Sequence, residues 1–207
     1  MIRIKICGIR DIAAAVAAAE AGADAIGMVF APSRRQISPD IAREICRALP
    51  PFISKVGVFV DAGEQEVKNI AGYCGLDVLQ FHGQETSEYC SRFAQKVIKG
   101  VQVRDEQSLL RLAEYAPYTL LLDSYHPAEK GGTGHAFPWE LAVQAGLGRR
   151  IVLAGGLHAG NVLAAIQTVK PFAVDVSSGV ESDGNKDIQK IQTFISTIRR
   201  WEYHGES

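Results

Sequence analysis

Two side chains in this sequence are placed to move protons, and each closes an apolar run. Cys7 ends Ile2-Arg3-Ile4-Lys5-Ile6, and Asp123 ends Leu120-Leu121-Leu122. A thiolate can act as a base, and a carboxyl carried against apolar walls has its pKa raised and can act as an acid. Around them the chain offers groups suited to anions. Arg34-Arg35 lies in a loop, where a guanidinium fork takes a carboxylate bidentately, and Gly155-Gly156 and Ser177-Ser178-Gly179 each follow a short β-branched or aliphatic run. Each has a blander reading: a small hydrophobe for Cys7, a turn-capping residue for Asp123, and solvated surface charge for the arginines. His82 is either a polar core residue bonded to a backbone carbonyl or a site residue.

The elements that must carry these groups follow from periodicity. Strand-like runs over 2–7, 25–30, 55–60, 78–81, 97–101, 119–123, 151–154 and 172–176 alternate with helix-like runs. The helices start near Asp11, Ser38-Pro39, Glu64, Thr86, Asp105, Pro138, Ala159 and Asp187, several on cap residues, and the fourth is expected to reach Ala94. Eight strands strictly alternating with eight helices force right-handed crossovers and parallel pairing, so the expected fold is a compact α/β (β/α)8 TIM barrel in one domain, residues 1–207. In that fold the strand ends form the mouth, and the loops after strands seven and eight hold phosphate.

Alternation then sorts the side chains. Arg3, Lys5 and Cys7 share one face, and Ile2, Ile4 and Ile6 the other. The apolar face belongs against the helices, so Lys5 points into the barrel and needs a partner; closure puts the first strand beside the eighth, which offers Asp175. The same alternation sends Gln80 with His82, and Leu121 with Asp123. Asp61 and Gln102 also reach the mouth. The ammonium of Lys5 is expected to favour the thiolate of Cys7. Cys46, Cys74 and Cys90 read as packing residues. The loop 124–137, with Gly131-Gly132-Thr133-Gly134, is either a plain connection or a lid.

Composition excludes several classes. The 207 residues are 47% hydrophobic and 22% charged, with a net charge of −1 and scattered basic residues, which argues against nucleic acid or an anionic membrane as partner. No run of ~20 apolar residues is present to span a bilayer. The four cysteines are dispersed without C-x-x-C spacing, and the apolar opening is too short and too basic for a secretory leader, so a cytoplasmic protein with reduced thiols is expected. No His and carboxylate cluster has metal-ligand spacing, and no cofactor is expected.

Assembled, these residues resemble the phosphoribosylanthranilate isomerase family of tryptophan biosynthesis along essentially the whole chain. The resemblance rests on Lys5-Ile6-Cys7-Gly8, Arg35-Gln36-Ile37-Ser38-Pro39, Gln80-Phe81-His82-Gly83, Leu122-Asp123, Gly131-Gly132-Thr133-Gly134, Gly155-Gly156-Leu157 and Asp175-Val176-Ser177-Ser178-Gly179-Val180-Glu181. It implies a metal-free Amadori rearrangement of a phosphoribosyl aminal. Asp123 would protonate the furanose oxygen, Cys7 would remove the C2 proton, and Arg35 would hold the anthranilate carboxylate. His82 and Asp175 would bind the substrate, Asp175 through the sugar hydroxyls, and Gly155, Gly156, Ser178 and Gly179 would hold its phosphate. The expected partner is this small phosphosugar, with the protein a monomer or homodimer. Arg10, Gln36 and Phe81 depart from the residues usual in the family. The histidine-pathway isomerase, with an aspartate at the base position, and ribulose-phosphate epimerase, with metal ligands, fit less well. A non-catalytic phosphate-binding barrel is disfavoured by the presence of both Cys7 and Asp123.

Overall fold

The computed structural model describes residues 1–103, 105–124, 139–146 and 149–204. The Gly131–Gly134 segment and the expected helix start at Pro138 lie outside the described residues. Eight parallel strands close into a barrel in sequence order: β1 (Arg3–Cys7), β2 (Ala25–Val29), β3 (Ser54–Phe59), β4 (Val78–Phe81), β5 (Lys96–Val103), β6 (Thr119–Ser124), β7 (Ile151–Leu153) and β8 (Ala173–Val176). Between them run α1 (Ile12–Glu20), α2 (Pro39–Ala48), α3 (Glu64–Cys74), α4 (Ser87–Cys90), α5 (Glu106–Leu110), α6 (Trp139–Gly146) and α7 (Val162–Val169), and α8 (Ile188–His204) follows β8.

The expected cap signals are used. Asp11 accepts the Ala14 N–H at 2.8 Å and Ser38 accepts that of Ile41 at 3.3 Å, with Pro39 in the first helical turn. The fourth helix is shorter than expected. It stops at Cys90, where the Ser91 hydroxyl donates to the Glu88 carbonyl and the chain turns to bury Phe93 on Phe81 and Tyr89, with ring centroids 5.1 and 5.2 Å away.

Two apolar layers hold the barrel. The larger lies between sheet and helices and contains Ile4, Ile6, Ile26, Phe81, Leu120, Leu122 and Val174. The smaller fills the barrel interior with Leu121, Val152, Ala154 and Ala173, against Ile98. Register connects the interior row to the polar groups above it: Gly100 lies opposite Leu121, Gln102 opposite Asp123, and Lys5 opposite Asp175. Strands β7 and β8 are neighbours through Val152 with Ala173 and Leu153 with Val174, so their following loops share one side of the mouth.

One element was not expected. After a 3-10 turn over Ser178–Val180, the strands β9 (Glu181–Ser182) and β10 (Asn185–Lys186) form an antiparallel hairpin. Its two-residue loop, Asp183-Gly184, has φ of 51° and 76°, the left-handed pair that a tight hairpin turn demands.

Candidate active site

The inner faces of β1 and β8 carry a buried ion pair below the mouth. Lys5 Nζ lies 2.8 Å from Asp175 Oδ1, and both side chains are almost fully enclosed. The pairing expected from alternation and closure is therefore present. Burial is the largest influence on Lys5 and works against its charge, but Asp175 and the neighbouring Cys7 outweigh it and hold the ammonium well above its ordinary pKa. Cys7 sits one inward step above. The bare Cα of Gly27 on β2 makes room for both: a Cβ there would lie 2.9 Å from Cys7 Sγ and 3.0 Å from Lys5 Nζ.

Lys5 favours the thiolate of Cys7 as expected, but burial outweighs it. Burial pushes the Cys7 thiol above its ordinary pKa, and the pull of Lys5 in the other direction is opposed by Asp175. In the protein as it stands, the thiol is the favoured form. The other three cysteines are free, and burial raises each of their pKa values as well, to about 11 for Cys46. They pack as expected, with Cys46 Sγ 3.8 Å from Met28 Sδ and Cys90 buried on α4.

Across the mouth, Asp123 stands at the end of β6 with its side chain 31% exposed. His82 stands beside it, with Nε2 3.3 Å from Asp123 Oδ2. His82 is thus placed against a carboxylate, and the backbone carbonyl expected for it is not its partner. Its ring stands over Gly100, where a Cβ would come within 2.4 Å of Nδ1, so that glycine is required by the histidine. The Gln80 amide nitrogen lies 3.1 Å from the same Nδ1.

Gly155 and Gly156 both adopt left-handed φ, 85° and 64°. The loop they open interlocks with the one after β8, for a Cβ on Gly179 would fall 1.9 Å from the Leu157 carbonyl oxygen. Ser178 is exposed beside it. In the barrel order these two loops stand between Asp123 on β6 and Cys7 on β1.

Arg35 reaches the mouth by passing over Gly8, where a Cβ would meet its Cδ at 2.6 Å. Its fork is engaged. Nε and Nη2 donate to the two carboxylate oxygens of Glu181 at 2.7 and 3.0 Å, so a substrate carboxylate must share this guanidinium or replace Glu181. Lys186 Nζ, 2.7 Å from Glu181 Oε1, is a second cation on the same carboxylate and a buried one, and the exposed Arg34 adds a third through Nη2 at 3.2 Å. Burial alone would raise the pKa of Glu181, but the hydrogen bonds from Arg35 and Lys186 overcome it and bring it down to about 2.

Glu181 and Lys186 had no role in the sequence reading. The Asp183-Gly184 dipeptide was the available signal for the hairpin that bears them. Arg10, one of the departures, ties the same region together by donating to the Arg34 carbonyl oxygen at 2.8 Å and to Asn185 Oδ1 at 2.6 Å. Gln36 donates to the Phe30 carbonyl, and Phe81 packs beneath Phe93 and Tyr89. Asp61 does not join the site; it accepts the Gln84 N–H at 2.6 Å and secures the loop after β4. Gln102 is exposed at the rim. Among the described residues no cluster of His, Cys, Asp or Glu could hold a metal ion, and no helix is long and apolar enough to cross a membrane.

Comparison with known proteins places this geometry. Residues 4–197 match the family model described as N-(5'-phosphoribosyl)anthranilate (PRA) isomerase. The isomerase of Desulforudis audaxviator is 52% identical over 96% of this chain and 98% of its own, and that of Desulforamulus reducens 48% identical over 99% of each. Among solved structures, phosphoribosylanthranilate isomerase from Thermotoga maritima superposes with a TM-score of 0.91 at 44% identity, covering 97% of this chain and all of that one. Another isomerase, solved with reduced 1-(o-carboxyphenylamino)-1-deoxyribulose 5-phosphate, gives 0.87 at 41% identity with the same coverage. Matched by that family model over residues 4–197 and by relatives of 52% and 48% identity over nearly its full length, the chain belongs to the N-(5'-phosphoribosyl)anthranilate isomerase family.

Proposed function

We propose that Cys7 and Asp123 are the base and acid of the isomerisation that this chain performs as an N-(5'-phosphoribosyl)anthranilate isomerase of tryptophan biosynthesis. One observation carries the assignment. Both residues end inward-facing rows at the same end of one closed barrel, on opposite sides of the interlocked loops at Gly155-Gly156 and Ser178-Gly179. A phosphosugar anchored by its phosphate in those loops has one catalytic group on either hand.

Asp123 delivers its proton to the furanose ring oxygen. As the bond from C1 to that oxygen breaks, the aniline nitrogen lone pair forms the C1=N bond, and a protonated Schiff base results. Cys7 then takes the proton from C2, and its electrons form the C1–C2 double bond of an enolamine, which tautomerises to the ketone. Arg35 holds the anthranilate carboxylate in competition with Glu181, Asp175 bonds sugar hydroxyls while keeping Lys5, and His82 binds at the side of Asp123. Backbone N–H groups of Gly155, Gly156, Ser178 and Gly179 receive the phosphate.

The barrel works as one domain on a small molecule, in the cytoplasm, where four free thiols stay reduced. It acts as a monomer or a homodimer; the Thermotoga maritima relative is described as dimeric, with monomers generated from it.

The test is the loss of anthranilate-type fluorescence from freshly made phosphoribosylanthranilate, against a protein-free blank. Rapid decay is expected from the wild type, and a fall of ~100-fold or more in kcat from both Asp123→Asn and Cys7→Ser. Near-normal turnover in either variant would remove that residue from its role.

A further inference from the structure

The mouth of the barrel holds two buried ammonium groups, and the mechanism above uses only the environment of one. Lys186 is 2% exposed, as enclosed as Lys5, yet it comes from the small hairpin after β8 and not from the barrel wall. Its Nζ donates to the Ser177 carbonyl oxygen at 2.8 Å, approaches Ser177 Oγ at 3.3 Å, and pairs with Glu181 Oε1 at 2.7 Å. Ser177 locates that ammonium relative to the base. Ile6 lies opposite Val176 in the ladder, so Cys7 and Ser177 are the next step along neighbouring strands. Ser177 Oγ also comes within 3.2 Å of where a Cβ on Gly8 would stand. Cys7 therefore has Lys5 one inward step below it on β1 and Lys186 on its β8 side.

Among the described residues, one carboxylate beside this space is shared by several cations. On β1 and β8 stand Lys5 and Asp175, one of each sign. From the hairpin and the loop after β2 come Lys186, Glu181 and Arg35, and Lys186 shares Glu181 with Arg35 and with the more exposed Arg34. A buried ammonium that shares its counter-ion is less than fully compensated, and a thiolate at Cys7, on the strand beside the Ser177 that Lys186 holds, would add negative charge next to it. We propose that Lys186 is a positioning residue for the base: with Lys5 it forms a pair of counter-cations that makes the thiolate of Cys7 attainable in a site that otherwise favours the thiol. This rests on Cys7 being the base. The electrostatics agree in direction, since burial lowers the pKa of Lys186 while Glu181 and Cys7 draw it back up, and Lys186 lowers that of Cys7.

The test reads Cys7 without turnover. Alkylation of Cys7 by iodoacetamide is followed against pH by peptide mass spectrometry, which separates it from Cys46, Cys74 and Cys90, in wild type, Lys186→Met and Lys186→Arg. In the Met variant the midpoint for Cys7 should rise by ~1 unit, a tenfold loss of thiolate at a fixed lower pH, and in the Arg variant it should return most of the way. Steady-state kinetics should show kcat falling ~10-fold in the Met variant with KM changed much less. A second variant moves the field the other way: Glu181→Gln removes the shared negative charge, so the Cys7 midpoint should fall. An unshifted Cys7 profile in both Lys186→Met and Glu181→Gln would overturn the proposal. So would an unshifted profile with a large rise in KM, which would make Lys186 a phosphate ligand. If Lys186→Met does not fold, the sign of the Glu181→Gln shift decides. Full turnover by Cys7→Ser would instead refute the base assignment, and it leaves the alkylation result readable.

Discussion

His82 and Asp123 form a pair across the barrel mouth, with Nε2 3.3 Å from Oδ2, and the pair is oriented from behind by Gln80. The Gln80 amide lies 3.1 Å from Nδ1 and can hold the ring in either tautomer, since an amide offers both a donor and an acceptor. Gln80 is 2% exposed, so the contact is made inside the barrel. With Asp123 as the proposed acid, His82 is placed to steady its carboxylate once the proton has left.

A double-variant cycle tests this coupling. His82→Ala should lower kcat ~10-fold, Asp123→Asn ~100-fold or more, and the combination no further than Asp123→Asn alone, because residues that act as one unit are not additive. Multiplied losses in the double variant would mean that the histidine acts on the substrate independently of Asp123.

Gly179 isolates the phosphate loops. Its φ is not among the left-handed ones, so an added methyl brings no backbone strain and acts only through the 1.9 Å approach to the Leu157 carbonyl. A backbone oxygen cannot swing aside as a side chain does, and the loops after β7 and β8 must part. Gly179→Ala should lower kcat/KM by ~100-fold, mostly through KM, the scale of a misplacement of about 1 Å. Inorganic phosphate should weaken as an inhibitor in parallel. If it inhibits wild type and variant equally, the phosphate is held elsewhere.

The sequence carried the architecture further than it carried the ionisation states. Period-two alternation in Arg3 to Cys7, together with closure, was enough to pair Lys5 with Asp175, because both facts are local or topological. The partner of Arg35 was not legible. It depends on the loop after β2 meeting a hairpin 146 residues later, and only the folded barrel brings Glu181 to that guanidinium. The contact of His82 with Asp123 depends on the register across β4, β5 and β6, which composition does not encode. For Cys7 the pull of the neighbouring ammonium was legible, whereas the burial of the thiol that outweighs it depends on the closed barrel and was not.

Arg35 can be tested by chemistry that distinguishes a fork from a point charge. Arg35→Lys keeps the charge and loses the bidentate geometry. The lost charged hydrogen bonding is worth ~1.5–3 kcal/mol, so KM should rise ~10- to 100-fold with a smaller change in kcat. A phosphoribosyl analogue lacking the ring carboxylate should bind wild type and variant alike. Equal weakening of that analogue would show that Arg35 supports the loop and does not read the carboxylate.

Acid stability should report on Glu181. Its pKa lies near 2 in the folded protein, against ~4.3 for an unperturbed glutamate, because Arg35 and Lys186 donate to it. A carboxylate whose pKa is lowered by folding stabilises the fold above its unfolded pKa, and that contribution is lost as pH falls through the folded value. The difference in Tm between wild type and Glu181→Gln should therefore be largest and level above about pH 5, shrink as the pH drops from there, and be nearly gone by about pH 2. Raising the salt concentration should reduce it only modestly, since the carboxylate is enclosed and Lys186 with it. A Tm difference that stayed constant from pH 7 to pH 2 would assign the effect of the substitution to packing, and the clamp between the loop after β2 and the hairpin would then not be electrostatic.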